Sequence, residues 1–148
     1  MPDILHRLSI DRAPAQVREK IASTDGLEEW WTGHPVEGNP AVGGKLAFFF
    51  GGSDPAAVAE VVEDTDSQIV WHVIDGPPDW IDTQITFGLR PTEDGGTTLL
   101  FSHTGWKESG EFMALCSSEW ASYLIGLRAG LEGRDFTPFP AGQVSRWG

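Results

Sequence analysis

The sequence predicts a single α+β domain, in which a curved antiparallel sheet of about six strands surrounds a long C-terminal helix. Three observations support this. The chain of 148 residues is close to the roughly 150 residues typical of one domain. Its middle carries strand-like segments separated by short turns, and its last third changes to a helical period. Because a sheet with one apolar face must be covered, the long helix is expected to pack on it.

The first strand is predicted at residues 3–11, where apolar residues and His6 recur at every second position. Two short helices follow. Pro14 suits the first turn of a helix, which should extend to about residue 23. Asp25 and the glutamate three positions later resemble a capping box, so a second short helix is expected to begin there and to end at Gly33.

The middle of the chain predicts an antiparallel meander. Residues 33–44 are rich in Gly, Pro and Asn and are expected to form a loop. Five segments rich in β-branched and aromatic residues follow, and the predicted strands are residues 45–50, 58–63, 68–74, 80–90 and 97–104. The short Gly-, Pro- and Asp-containing separators favour tight turns between neighbouring strands.

Residues 110–132 are predicted to form the covering helix. Apolar side chains recur there every three or four residues, namely Met113, Cys116, Trp120, Tyr123, Leu127 and Leu131. At about 1.5 Å per residue, such a helix would be roughly 34 Å long and could cross a whole sheet. Residues 134–148 are expected to form an extended tail of the same domain, which spans residues 1–148.

Charge and composition exclude several classes of partner. With 10 Lys and Arg against 22 Asp and Glu, the net charge is −12, so nucleic acid and anionic membrane surfaces are poor partners. The longest apolar run, residues 46–50, is far shorter than the roughly 20 residues needed to cross a bilayer. A lone Cys116 and the absence of a signal-peptide pattern predict a cytoplasmic protein.

A long helix need not fill the concave side of a twisted sheet, so the fold is expected to leave an apolar pocket beneath the helix. Large and apolar side chains on the predicted inner faces are the candidate ligand contacts, although filling of the core would require the same composition. Trp80 and Trp147 are weaker candidates than the other tryptophans. The candidates are Trp31, Phe48, Phe50, Trp71, Ile85, Phe101, His103, Met113, Cys116, Trp120 and Tyr123.

His103 lies on the apolar face of a predicted strand, where it could orient a ligand or act as a general base. A structural histidine bonded to a neighbour is favoured, because catalysis needs several groups in mutual geometry. Cys116 is expected to be a buried, inert thiol. The four histidines lack the spacing of a metal site, so neither a metal nor another cofactor is predicted.

The run from Phe48 to Phe50 bears on the oligomeric state. If Phe48 and Phe50 face inward, pleat geometry turns Phe49 outward. Phe49 is then exposed, covered by the tail or part of a homodimer contact. His34 either lines the mouth of the cavity or is a solvated loop residue.

Several weak signatures occur in a characteristic order: the first strand leading into Pro14, the stretch Leu27-Glu28-Glu29-Trp30-Trp31, the pair Gly43-Gly44, the strand at 99–106 and the helix at 120–131. In this order they resemble the START/Bet v 1 (SRPBCC) superfamily, in the branch named for the activator of Hsp90 ATPase. The resemblance covers nearly the whole chain. It implies a helix-grip fold with a hydrophobic cavity, in a superfamily that includes small-molecule binders, polyketide cyclases and Hsp90 ATPase activators.

Three functions are therefore considered. The first is binding of a small apolar or aromatic molecule in the cavity, with His103 and Tyr123 orienting it. The second is a cyclase- or hydrolase-type enzyme that uses the same cavity, with His103 as acid and base. The third is an interaction module in a chaperone or stress-response context that uses the acidic surface.

Overall fold

Seven antiparallel strands form one sheet in the computed structural model, which describes residues 2–139 and 143–144. The strands are β1 (Ile4–Ile10), β2 (Val36–Gly38), β3 (Lys45–Phe48), β4 (Ala57–Asp64), β5 (Gln68–Asp75), β6 (Gln84–Pro91) and β7 (Thr97–Thr104). The α-helices are α1 (Pro14–Ile21), α2 (Thr24–Leu27) and α3 (Glu111–Leu131). This is the predicted architecture, with two short helices after the first strand and a long C-terminal helix.

The sheet order is β1-β7-β6-β5-β4-β3-β2. Strands β2 to β7 therefore form the predicted meander. β1 is an edge strand and pairs with β7, with Ile4 opposite His103 and Ile10 opposite Thr97. The central strands β5, β6 and β7 carry Trp71, Phe87 and Phe101, whose side chains are buried.

One additional strand and two strand boundaries differ from the prediction. Val36–Gly38 forms a short strand inside the expected loop, where Val36 is buried and pairs with Phe48. β3 ends at Phe48 rather than at residue 50, and both Phe49 and Phe50 are half-buried. β6 begins at Gln84 rather than at residue 80, because Pro78–Trp80 forms a 3₁₀ turn in which the prolines fix φ.

The segment between β1 and β2 contains an irregular helix. The hydroxyl oxygen of Ser23 accepts a hydrogen bond from the Gly26 N–H at 3.0 Å, so Ser23 is the N-cap of α2 and the predicted capping box at Asp25 is wrong. A π-helical turn, Glu28–Thr32, continues α2. It ends at Gly33, as predicted, in the left-handed conformation with φ 64°. π-helical turns are uncommon and occur often at functional sites.

α3 packs its inner face against the sheet and the π-helical turn. That face buries Cys116, Trp120, Tyr123, Leu124 and Leu127. Residues 134–139 continue from the helix without regular secondary structure, as expected for the tail. The rest of the predicted tail, including Trp147 but not residues 143–144, lies outside the described residues. Within the described ranges, none of the helices has the length and apolarity that a bilayer span requires.

Candidate functional site

A cavity of about 450 Å³ lies between α3, the π-helical turn, the start of β4 and the tail. This volume falls within the range of small-molecule sites. Most of the wall is apolar and much of it is aromatic. The described lining residues are Trp31, Phe50, Ala56, Ala57, Pro77, Trp80, Leu115, Cys116, Glu119, Trp120, Tyr123, Phe139 and Gln143.

Trp31 is the centre of the aromatic wall. The π-helical turn carries its side chain inward, and Trp31 is only 3% exposed. Its ring centroid lies 4.6 Å from that of Phe48, 4.9 Å from that of Trp120 and 5.5 Å from that of Phe50. Trp31 therefore joins the sheet, the long helix and the mouth of the cavity in one cluster of rings.

Five of the eleven candidate residues line the cavity: Trp31, Phe50, Cys116, Trp120 and Tyr123. The other six lie outside its lining, and their ligand contact stays a prediction. Phe48, Trp71, Ile85, Phe101 and His103 are buried, and Met113 is partly buried.

Sequence reasoning missed several lining residues. Leu115 and Glu119 lie on α3 beside Cys116, Trp120 and Tyr123, so helical spacing could have found them. Trp80 is brought in by the 3₁₀ turn after two prolines. Phe139 and Gln143 come from the tail, where no periodicity signals an inward direction.

His103 is fully buried and both of its ring nitrogens are hydrogen-bonded. The Trp120 indole N–H donates to Nδ1 at 3.2 Å. The Thr83 hydroxyl donates its proton to the Trp80 carbonyl at 2.5 Å. Thr83 Oγ1 must therefore accept from Nε2–H of His103, at 2.8 Å. This directed chain fixes His103 as the neutral Nε2–H tautomer.

The surroundings of His103 oppose acid–base chemistry. Burial lowers the pKa of His103 from 6.5 to about 3, because a buried imidazolium loses its hydration. The edges and faces of Trp80 and Trp106 enclose the ring at centroid distances of 4.9 and 5.0 Å. Since neither nitrogen has a free lone pair or proton, this geometry makes His103 a positioning residue for Trp120 and the Trp80 turn.

The polar groups on the cavity wall are few. The pKa of Cys116 is raised to about 11, mainly by burial; the Trp80 side chain opposes this shift, and the Glu119 and Asp79 carboxylates contribute to it. Burial also raises the pKa of Tyr123, with a contribution from Glu119. Both groups are therefore neutral near pH 7. Within the described lining, Glu119 is the one carboxylate and no side chain is basic.

The Tyr123 hydroxyl is buried and has no hydrogen-bond partner among the described residues. An unpaired buried polar group costs about 1–3 kcal/mol. A search of the described residues finds no group of three or more His, Cys, Asp or Glu that could hold a metal ion.

A sheet that grips a C-terminal helix above an apolar cavity defines a helix-grip protein of the START/Bet v 1 (SRPBCC) superfamily. Residues 11–132 match the family described as "Activator of Hsp90 ATPase homolog 1-like protein". The chain belongs to this family, as its sequence signatures predict.

Solved structures agree with this assignment. The Aha1 dimer from Colwellia psychrerythraea is 30% identical, with a TM-score of 0.79, and the match covers 89% of this chain and 97% of that one. MLL2253 from Mesorhizobium loti is 19% identical, with a TM-score of 0.74 and coverage of 91% and 100%. CalU16 from Micromonospora echinospora is 19% identical, with a TM-score of 0.71 and coverage of 90% and 76%. The last two show the fold alone. No curated protein matches the chain.

Proposed function

We propose that the protein binds a neutral, planar aromatic molecule in the cavity beneath α3. The carrying observation is the ring-lined wall, in which Trp31, Trp80 and Trp120 face the same space. Flat apolar ligands gain both from burial of their surface, at about 25 cal/mol per Å², and from stacking on aromatic side chains. The single cysteine, a buried thiol, is compatible with the cytoplasmic location that we expect.

The charge of the wall favours a neutral ligand over an anionic one. Glu119 already raises the pKa values of Cys116 and Tyr123, which means that it disfavours a second negative charge nearby. A ligand oxygen that accepts a hydrogen bond would give the Tyr123 hydroxyl the partner that it lacks.

The test compares two molecules with the same rings, 2-acetylnaphthalene and 2-naphthoate, by isothermal titration calorimetry at pH 7. We expect the neutral ketone to bind at least about tenfold more tightly than the carboxylate, since like charges inside a protein repel by a few kcal/mol. Tight binding of both, or preference for the carboxylate, would contradict the proposed ligand class. Failure of both molecules to bind would contradict the proposed site for ligands of this size.

A matched pair of variants separates the local charge from the net charge of the protein. Glu119→Gln removes the lining carboxylate and should narrow the gap between the two affinities. Glu111→Gln makes the same change on the same helix at an exposed position, and should leave the gap as it is. Equal effects of the two substitutions would mean that overall charge, rather than Glu119, sets the preference.

The two other functions have less support. The hydrogen bonds of His103 give an enzyme no free acid or base at that position. An Hsp90-related or stress-response partner is suggested by the family's name alone. A homodimer, in contrast, is favoured by a specific surface in addition to the dimeric relative from Colwellia psychrerythraea.

That surface is the face of the sheet that points away from α3. Leu5 is 69% exposed there and Leu100 is 40% exposed. Gly88 lies beside Leu100 and leaves a shallow groove. In a chain with 22 acidic residues, the side chains that border this groove include no carboxylate among the described residues. We propose that a second copy packs on this face, because two exposed leucines lie there beside a groove whose described lining contains no carboxylate.

Analytical ultracentrifugation tests the homodimer. The wild-type protein is expected to sediment as a dimer at micromolar concentration, and Leu5→Glu is expected to sediment as a monomer, because it places a carboxylate in an apolar contact. Ile125→Glu is the control, because Ile125 is 49% exposed on α3, and it should remain dimeric. A monomeric wild-type protein, or a dimeric Leu5→Glu variant, would refute this surface.

A further inference from the structure

The tail segment, defined here as Phe136–Phe139, lies across the cavity between α3 and the π-helical turn. Phe139 lines the cavity directly. Its ring packs edge-on against Phe50 at 5.1 Å and lies 6.1 Å from the ring of His34. His34 is half-buried beside Phe139 and is not among the described residues that line the cavity, so its place at the mouth stays a prediction.

Gly126 forms a notch in α3 that receives Phe136. A Cβ atom at Gly126 would lie only 2.0 Å from Cζ of Phe136 and 2.1 Å from Cε1. The ring can occupy this position only because residue 126 has no side chain. Phe136 also packs edge-on against Tyr123, at a centroid distance of 6.4 Å. One end of the tail segment is therefore fitted to a specific place on the helix.

Gly33 receives the other end. Its left-handed φ of 64° already favours glycine, and a Cβ atom there would lie 2.3 Å from the Phe139 carbonyl oxygen. The Phe139 N–H donates to the carbonyl of Trp31 at 3.1 Å. The backbone of the tail segment is thus bound to the same π-helical turn that supplies the centre of the aromatic wall.

We propose that the tail segment is a lid that controls entry to and exit from the cavity, and for the ligand this rests on the function proposed above. Among the described residues, the lid is attached by the Gly126 notch, the Gly33 contact, the Phe139 backbone hydrogen bond and the ring contacts with Tyr123, Phe50 and His34. Both of its phenylalanines are only partly buried. Such a segment opens at a free energy well below that of global unfolding. Gly133, with φ 80°, provides the hinge where the chain leaves α3.

The test uses two glycines of α3 as a matched pair. Gly126→Ala puts a methyl group into the notch and displaces Phe136, whereas a Cβ at Gly130 meets nothing within 4 Å. Both substitutions raise helix propensity by a similar amount. A variant with an open lid should expose the cavity, so we expect stronger quenching of tryptophan fluorescence by acrylamide in Gly126→Ala but not in Gly130→Ala.

Amide hydrogen exchange reports on the lid itself. Exchange of the Phe139 N–H should be about tenfold faster in Gly126→Ala than in Gly130→Ala, because loss of a buried aromatic contact shifts the opening equilibrium by about that factor. Phe136→Ala removes the ring without touching the helix and should reproduce the effect. Unchanged exchange and unchanged quenching in both variants would overturn the lid.

The dissociation rate of 2-acetylnaphthalene separates the lid from the proposed function. If the lid gates the cavity, the ligand leaves faster from Gly126→Ala than from Gly130→Ala. Faster amide exchange with an unchanged dissociation rate would overturn the gating role. If neither the wild type nor the two variants bind 2-acetylnaphthalene, the proposed function fails on its own. The quenching and exchange measurements then still decide whether the lid controls access to the cavity.

Discussion

Replacing His103 by alanine is expected to lower the free energy of unfolding by about 3 kcal/mol. His103 is fully buried, so the substitution leaves a cavity beside Trp80 and Trp106. It also removes the acceptor of the Trp120 indole N–H, and an unpaired buried donor costs about 1–3 kcal/mol. Urea unfolding at pH 7 measures the change. His72→Ala is the control, since His72 lies on the outer face of the sheet, half exposed beside Asp82, and should change stability by less than about 0.5 kcal/mol.

The pH dependence of stability provides a second readout for His103. Its folded-state pKa of about 3 lies below the ordinary value of 6.5, so between these values the unfolded chain binds a proton that the folded chain does not. The contribution of His103 is therefore fully present above pH 6.5 and is lost as pH falls toward 3. Over this window the loss amounts to about 5 kcal/mol.

In unfolding experiments between pH 7 and pH 4, the free energy of unfolding should fall more steeply with decreasing pH for the wild type than for His103→Ala. The difference in slope should reach up to about 1.4 kcal/mol per pH unit, which corresponds to one bound proton. Parallel curves for the two proteins would mean that the folded protein can protonate His103. That result would reopen the acid–base hypothesis.

Replacing Trp31 by alanine is expected to cost about 4 kcal/mol of stability, in the range measured for buried tryptophan truncations. The ring is 3% exposed and packs against Phe48, Trp120 and Phe50. Its loss also removes the side chain that joins the sheet to α3 at the cavity. Thermal and urea unfolding measure the stability, and calorimetry with 2-acetylnaphthalene measures the loss of binding.

Trp31→Phe is the control for this prediction. A smaller ring retains part of the packing, so the variant should lose less stability than Trp31→Ala and keep measurable affinity. The stability and affinity of Trp30→Phe are measured in the same way. Trp30 packs on Trp31 and Phe87, and its indole N–H donates to the carbonyl of Lys20. Undiminished affinity in a folded Trp31→Ala variant would show that the aromatic wall is not the binding surface.

Periodicity predicts the parts of this fold in which one side of an element is buried. The inner stripe of α3 from Cys116 to Leu127 and the strand Thr97–Thr104 both appear where their patterns place them. Val36–Gly38 could not be predicted in this way. Three residues are too few to show an alternation, and tertiary pairing with β3 holds them in place.

The site was less predictable than the fold, because it depends on contacts between distant segments. Thr83 reaches His103 only through the unusual turn at Asp82, a non-glycine residue with φ 67°. Phe139 enters the cavity wall through backbone contacts with Gly33 and Trp31. The sequence shows which glycines and aromatic residues are present, but no local pattern in it indicates that they contact each other.

The pairing of β1 with β7 affects how the chain can fold during synthesis. Ile4 pairs with His103, so β1 has no neighbour in the sheet until β7 has been synthesised. α3, which also contacts β1, emerges later still. Pairings between such distant residues close large loops and slow the search for the native topology. Among the described strands, β1 is thus the last to be paired, although it precedes the others in the sequence.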